Sequence, residues 1–230
     1  MGKISAGSYD LNTFLHGGYE TDIVTVFYGG AGTGKTNLCL LTAVSQAKKG
    51  NKVIFVDTEG GFSVDRVKQM VGEKDGVDEV LKNIFLLKPT SFKEQKEAFE
   101  ELQKRLNKQV DLIVVDGMTI LYRLEFADAR EKGEKEIHKI NSILVRQIKL
   151  LAEIARKREI PVLVTNQVYR WEDSDKMVGG DILKYWGKCL IELTNDKGRR
   201  VMSLRKHRSL AEKDLVFQIY DGGVRRRGWL

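Results

Sequence analysis

The chain is short of the residues that staple or interrupt a fold. Only two cysteines and two prolines occur in 230 residues. Cys39 and Cys189 are far apart and sit in apolar runs, which argues against a disulfide scaffold and for buried free thiols in a reducing, cytoplasmic setting. His16, His138 and His207 have no metal-ligand spacing, so a histidine-based metal centre finds no support. No apolar run approaches the roughly 20 residues of a membrane span. The opening Met1-Gly2-Lys3-Ile4-Ser5 has no signal-peptide apolar stretch, and Ala6 breaks the myristoylation pattern. A hydrophobic content of 42% argues against disorder. The length fits one large domain over 1–230 with a substantial core.

The charge is lopsided. The net +7 is carried entirely by residues 197–230, where ten Lys or Arg face three acids; the remainder balances at 29 against 29. Lys197, Arg199, Arg200, Arg205, Lys206, Arg208, Lys213, Arg225, Arg226 and Arg227 are those cations. Such a concentration points to an anionic partner at one place, with a solvated basic surface as the alternative.

Gly29-Gly30-Ala31-Gly32-Thr33-Gly34-Lys35-Thr36 fits G-x-x-x-x-G-K-[ST]. The apolar run Ile23–Tyr28 before it reads as a buried strand. Leu38 through Ala47 behind it suits a packed helix. Backbone N–H groups must approach phosphate closely, so four glycines leave the loop bare, and the helix start directs its positive end at the anion. Lys35 adds a point charge for the β- and γ-phosphates, and the Thr36 hydroxyl suits Mg²⁺. The expected ligand is therefore ATP with Mg²⁺. The nucleotide set runs from Gly29 through Ala31, Thr33 and Gly34 to Asn37.

The rest of the chain alternates strands and helices. Val53–Asp57, Asn83–Lys88, Leu112–Asp116 and Val162–Thr165 read as buried strands. Helices are expected over Ser8–Gly18 and Ser63–Val71, near Asp75–Leu81, over Phe92–Leu106 and from Ile137 to Ala155. Asp128–Glu136 and residues 169–181 read as polar loops. Residues 1–22 form a lead-in segment, and residues 189–230 a basic closing set of strands. This is an α/β fold with a mainly parallel sheet covered on both faces. In such sheets ligands lie at the carboxyl ends of the strands, which puts Asp57, Asp116 and Asn166-Gln167 on the P-loop rim.

Asp116 ends an apolar strand, the arrangement that orients Mg²⁺ and its water; Asp111, at the other end of the run, reads as structural. Glu59 is the candidate base for an attacking water, with Asp57 bonding backbone or water. The alternative is that both carboxylates are turn formers. An uncharged amide ending the strand at Thr165-Asn166-Gln167-Val168 can sense the γ-phosphate and pass its presence to the next loop.

Together, Gly29–Thr36, Asp57-Thr58-Glu59, Leu112–Asp116 and Thr165–Val168 resemble the RecA/RadA recombinase ATPase core. Ile4–Leu11 with Gly17-Gly18 is similar to the segment leading into it, and Gly179–Leu183 to the stretch after its second DNA loop. The short length, beginning near the core, resembles the archaeal RadB paralogues; the N-terminal domain and subunit-bridging linker of RadA find no match. The resemblance implies that Lys35 and Thr36 bind nucleotide and Mg²⁺, Glu59 activates water, Asp116 supports the metal and Gln167 links nucleotide state to DNA. It places Arg66 against adenine. Residues 127–135 and 169–181 match the two DNA loops, with Tyr169, Arg170 and Trp171 as stacking and phosphate contacts. Acids crowd both loops, Glu131, Glu134 and Glu136 in the first and Glu172, Asp173 and Asp175 in the second. Arg205, Lys206 and Arg208 lie where recombinases reach a neighbour's nucleotide, and join Arg225, Arg226 and Arg227 as candidate DNA contacts.

The resemblance implies an accessory protein of DNA repair and recombination: a weak ATPase that binds single-stranded or branched DNA without exchanging strands. It also implies partnership with RadA and a Holliday-junction resolvase, and a homo-oligomer is compatible with it. Two other classes stay open on sequence: a RecA-type ATP switch acting on a protein partner, and a hexameric helicase with Arg205 or Arg208 as a trans arginine finger.

Overall fold

The computed structural model describes residues 2–72, 76–106, 109–171 and 174–228, giving the backbone alone for residues 170–171, 174–176 and 180. In chain order the elements are β1 (Lys3–Ile4), α1 (Tyr9–Phe14), β2 (Tyr19–Glu20), β3 (Val24–Gly29), α2 (Lys35–Ala47), β4 (Val53–Asp57), α3 (Val64–Val71), α4 (Val77–Lys82), β5 (Ile84–Leu87), α5 (Phe92–Arg105) and β6 (Leu112–Asp116). They continue as α6 (Ile120–Lys132), α7 (Glu134–Arg158), β7 (Val162–Trp171), β8 (Ser174–Met177), α8 (Gly180–Trp186), β9 (Gly187–Asp196), β10 (Arg199–Lys206), β11 (Lys213–Tyr220) and β12 (Gly223–Arg226).

The main sheet runs in the order β12-β11-β10-β9-β3-β7-β6-β4-β5, with β8 paired to β7. From β9 to β5 neighbours are parallel. From β9 outward to β12 they are antiparallel. The parallel strands are apolar on both faces because both are covered. Phe27, Phe55 and Val114 point into one core with Leu38, Leu41 and Val44 of α2. Their neighbours Val26, Ile54 and Val115 point into the other, with Phe99 of α5 and Leu144, Ile148 and Leu151 of α7. This is the period-two alternation of a strand with a core on each side.

Two expectations give way. Asp128–Glu136 is not a loop: α6 runs to Lys132, α7 starts at Glu134, and Gly133 alone (φ 100°) makes the break. The charges occupy an exposed helical face while Leu121 and Ala129 are buried. The hairpin is braced where the Tyr122 hydroxyl donates to Asn141 Oδ1 at 2.7 Å. Residues 169–181 likewise contain an antiparallel β7–β8 hairpin, with Val168 opposite Met177, followed by the start of α8. Asp75, Glu172 and Asp173 lie outside the described residues, as do the side chains of Arg170, Trp171 and Asp175. The lead-in segment holds more order than its sequence shows, since β1 and β2 pair antiparallel across α1.

Candidate functional site

The sheet register gathers the site. Asp57 lies opposite Asp116, and Gly29 opposite Gln167, so four parallel strands deliver carboxylates, an amide and the glycine loop to one rim. Gly34, in the left-handed region (φ 108°), turns the loop into α2. A Cβ at Gly30 or Gly32 would meet nothing within 4 Å. The protein therefore leaves that face of the loop bare, as close approach of a phosphate requires.

Lys35 is buried, and its ammonium donates to the carbonyls of Gly29 at 2.9 Å and Gly30 at 2.8 Å. Burial holds its pKa below the ordinary lysine value, against the opposing pull of Glu59 and Asp116. Thr36 Oγ1 donates to Asp116 Oδ2 at 2.8 Å, and Thr165 Oγ1 to Asp116 Oδ1 at 2.7 Å. Burial pushes the Asp116 carboxyl up to about 6, with the two hydroxyls working the other way. A buried carboxylate next to a threonine hydroxyl offers the hard oxygen donors that Mg²⁺ takes. Among the described residues no cluster of three metal-ligating side chains exists. One carboxylate and one hydroxyl are the protein donors of a Mg²⁺ site completed by water and phosphate oxygens, so the residues fit the ion.

The two acids of the β4 turn divide their work. Asp57 accepts from the Gly61 and Phe62 backbone N–H groups at 3.1 and 3.0 Å and closes the turn. Glu59 remains at the cavity, where Gln167 Nε2 donates to its Oε2 at 3.1 Å. From Asn166 a buried chain leaves the site: Thr119 Oγ1 bonds its Oδ1, and its Nδ2 donates to the Val178 carbonyl at 2.8 Å. The segment beyond β8 is thus tied to the rim.

Arg66 forms a latch. Its Nε donates to Asn37 Oδ1 at 2.9 Å, Nη2 to the Tyr220 carbonyl at 2.7 Å and Nη1 to the Asp221 carbonyl at 3.1 Å. It fastens the β11–β12 turn to the first turn of α2.

The basic residues form two groups, not one. Arg205 pairs with Glu192 at 2.8 Å, Arg208 with Glu20 at 2.8 Å, and Lys206 caps the carbonyls of Lys184 and Gly187. Lys206 lies opposite Leu190, toward the end of the sheet away from the P-loop. Arg225 stacks on Tyr220 with 4.7 Å between guanidinium and ring. Arg226 and Arg227 line an open groove of about 880 Å³ between α1 and the sheet edge, with Arg199 and Lys213. Tyr169, on β7, is half-buried opposite Lys176.

Sequence reasoning names Thr165 and Thr58 within its motifs but gives them no role; the Thr58 hydroxyl donates to the carbonyls of Asp116 and Gly117. A polar residue inside an otherwise apolar strand was the available signal for Thr165. It also missed Arg200 and Ile219, which line the P-loop cavity from the C-terminal strands and carried no local signal.

The Rad51 family model matches residues 1–227. The "DNA repair and recombination protein RadB" of Methanobrevibacter smithii is 39% identical over 225 residues, covering 93% of this chain and 92% of the relative. The chain belongs to the RadB family. The protein of the same name from Methanococcoides burtonii is 40% identical over 219 residues, covering 94% of each chain. A solved crystal structure described as the RadB recombinase superposes with a TM-score of 0.80 at 34% identity, covering 97% of this chain and 99% of that one. The RadB fold thus accounts for both the parallel core and the C-terminal antiparallel strands. Among the described residues no helix is long and apolar enough to cross a membrane.

Proposed function

We propose that this protein is an ATP-binding accessory factor of homologous recombination that binds DNA, hydrolyses ATP slowly with Mg²⁺, and does not exchange strands by itself. The observation that carries the reading is the bond from Thr36 to Asp116 at 2.8 Å, set between the bare glycine loop and the Glu59–Gln167 pair. The loop N–H groups and Lys35 hold the phosphates. Thr36 and Asp116 hold Mg²⁺, which when bound neutralises charge on the phosphate oxygens. Glu59 takes the proton of the attacking water, and Gln167 carries its state along β7 to the β7–β8 hairpin. In this conformation one Glu59 oxygen is taken by Gln167, a reason for slow turnover. Arg66, which fixes the β11–β12 turn to α2, is proposed to lie against adenine.

DNA is proposed to meet the C-terminal basic surface, with Arg225, Arg226 and Arg227 as principal contacts. Arg205, Lys206 and Arg208 serve in a second patch, with Tyr169, Arg170 and Trp171 of β7 as further contacts. The protein would act beside a strand-exchange recombinase such as RadA and a Holliday-junction resolvase. The test is fluorescence anisotropy on single-stranded and branched DNA across a salt series, with and without ATP–Mg²⁺. Replacing Arg225, Arg226 and Arg227 by Ala should weaken binding and flatten the salt slope, since each phosphate contact contributes to that slope. Equal slopes for both proteins would move the DNA elsewhere. A second arm measures ATP turnover for Glu59→Gln, expected to fall about 100-fold or more with nucleotide affinity retained.

A further inference from the structure

One cation at the P-loop cavity has no role in the scheme above. Arg200 is on β10, its backbone opposite Asn195 of β9 and Phe217 of β11. Its side chain lines the same cavity of about 230 Å³ as Gly32, Lys35, Thr36, Glu59 and Gln167. Its Nε is buried and has no hydrogen-bond partner. A guanidinium N–H withdrawn from water without an acceptor is costly, and such a group calls for an acceptor, whether water, an ion or a ligand.

The strands that carry Arg200 are a wall of this cavity. A Cβ on Gly29 would run into the Leu193 carbonyl of β9, and one on Gly34 would stand 3.0 Å from Ile219 Cδ1 of β11. The antiparallel strands therefore press on the P-loop at both ends, and the Arg66 latch holds their outer turn to α2. The P-loop already supplies one cation, Lys35, whose ammonium is turned onto two loop carbonyls. Arg200 supplies a second from the opposite wall, with a planar fork that matches phosphate oxygens.

We infer that Arg200 is a phosphate-contacting residue of the nucleotide site, supplied in cis by the C-terminal strands, which donates through its guanidinium to the phosphate chain of a nucleoside triphosphate. The inference rests on the nucleotide-binding reading above. It gives the C-terminal strands a part in nucleotide recognition besides any part in DNA binding. It also gives a preference for triphosphate over diphosphate, since a longer anion presents more oxygens between Lys35 and Arg200.

The experiment is a fluorescence titration with methylanthraniloyl-ATP and -ADP in Mg²⁺, on wild type, Arg200→Met, Arg200→Lys and Lys35→Ala. The Met variant keeps the bulk of the side chain and removes its charge. Its Kd for the triphosphate should rise about 10- to 100-fold, the effect of losing a charge-assisted hydrogen bond, and its Kd for the diphosphate should rise less. Arg200→Lys should recover part of the loss. Equal triphosphate affinity in wild type and Arg200→Met would overturn the assignment. A second readout uses the unaltered protein: the ¹⁵N signal of the Arg200 Nε–H, identified by its absence in Arg200→Lys, should shift on saturation with ATP. A signal that stays put overturns the assignment even where Arg200→Met does not fold. Wild type that binds neither nucleotide refutes the nucleotide reading itself, an outcome distinct from binding that ignores Arg200.

Discussion

At the scale of single residues, two side chains report on the fold independently of any ligand. Thr165 donates to Asp116 Oδ1 inside the core. Thr165→Val keeps the shape and leaves a buried carboxylate oxygen short of a partner, at a cost of about 1–3 kcal/mol. Urea denaturation should show a lower midpoint with an unchanged slope. His207 tests pH. Its side chain is 3% exposed, 3.7 Å from Glu20. Burial holds its pKa below 6.5; Glu20 raises it, while Lys3, Arg208 and Lys213 reinforce the depression. The unfolded chain therefore binds a proton at a higher pH than the folded one. The stability His207 contributes is complete above about pH 6.5 and is lost as pH falls toward its folded value. Thermal melts from pH 7.5 to 5.5 should show a decline that is shallower in His207→Gln.

At the scale of elements, the Arg66 latch makes a local prediction. Arg66→Ala removes the donors that hold the Tyr220 and Asp221 carbonyls. Amide exchange should quicken in β12 and the end of β11 and stay unchanged in β6, in the manner of a unit that opens alone. This scale also shows what could be read in advance. β3, β4, β6 and the start of β7 were legible because a strand covered on both faces must be a run of apolar residues; β4 and β6 end in an aspartate at the rim, and β3 runs into the glycine loop. α5 and α7 were legible from their one-sided apolar spacing. The charged stretch Asp128–Glu136 misled because a helix with one exposed face can be as polar as a loop; only Gly133 interrupts it. β1, β2 and β12 are two to four residues long. At that length pairing depends on a distant partner and leaves no periodic trace. Arg200 was invisible for a related reason. The P-loop, Asp116 and Gln167 announce themselves by local pattern, whereas Arg200 reaches the cavity only because β9 folds back beside β3.

For the whole molecule, the parallel half of the sheet and the antiparallel half meet at β9, which pairs parallel with β3 and antiparallel with β10, and the P-loop, which follows β3, lies beside that seam. A ligand held from both halves should stabilise the entire chain. At 100 times its Kd, ATP with Mg²⁺ should add about 2.7 kcal/mol, seen as a rise in melting temperature. Lys35→Ala should abolish the rise. A melting temperature in wild type indifferent to ATP–Mg²⁺ would contradict the site assigned to it.

The two thiols lie in one core, on the α2 side of the sheet. Cys39, on α2, and Cys189, on β9, are fully or almost fully buried, 0% and 2% exposed. Burial pushes the Cys189 pKa up to about 12 and that of Cys39 well above the ordinary thiol value. Neither can attack a disulfide reagent while that core stays closed. The native sequence therefore carries a built-in clock. The rate at which an aromatic disulfide dye consumes these sulfurs measures how often that core opens, with no label to introduce and no residue to change.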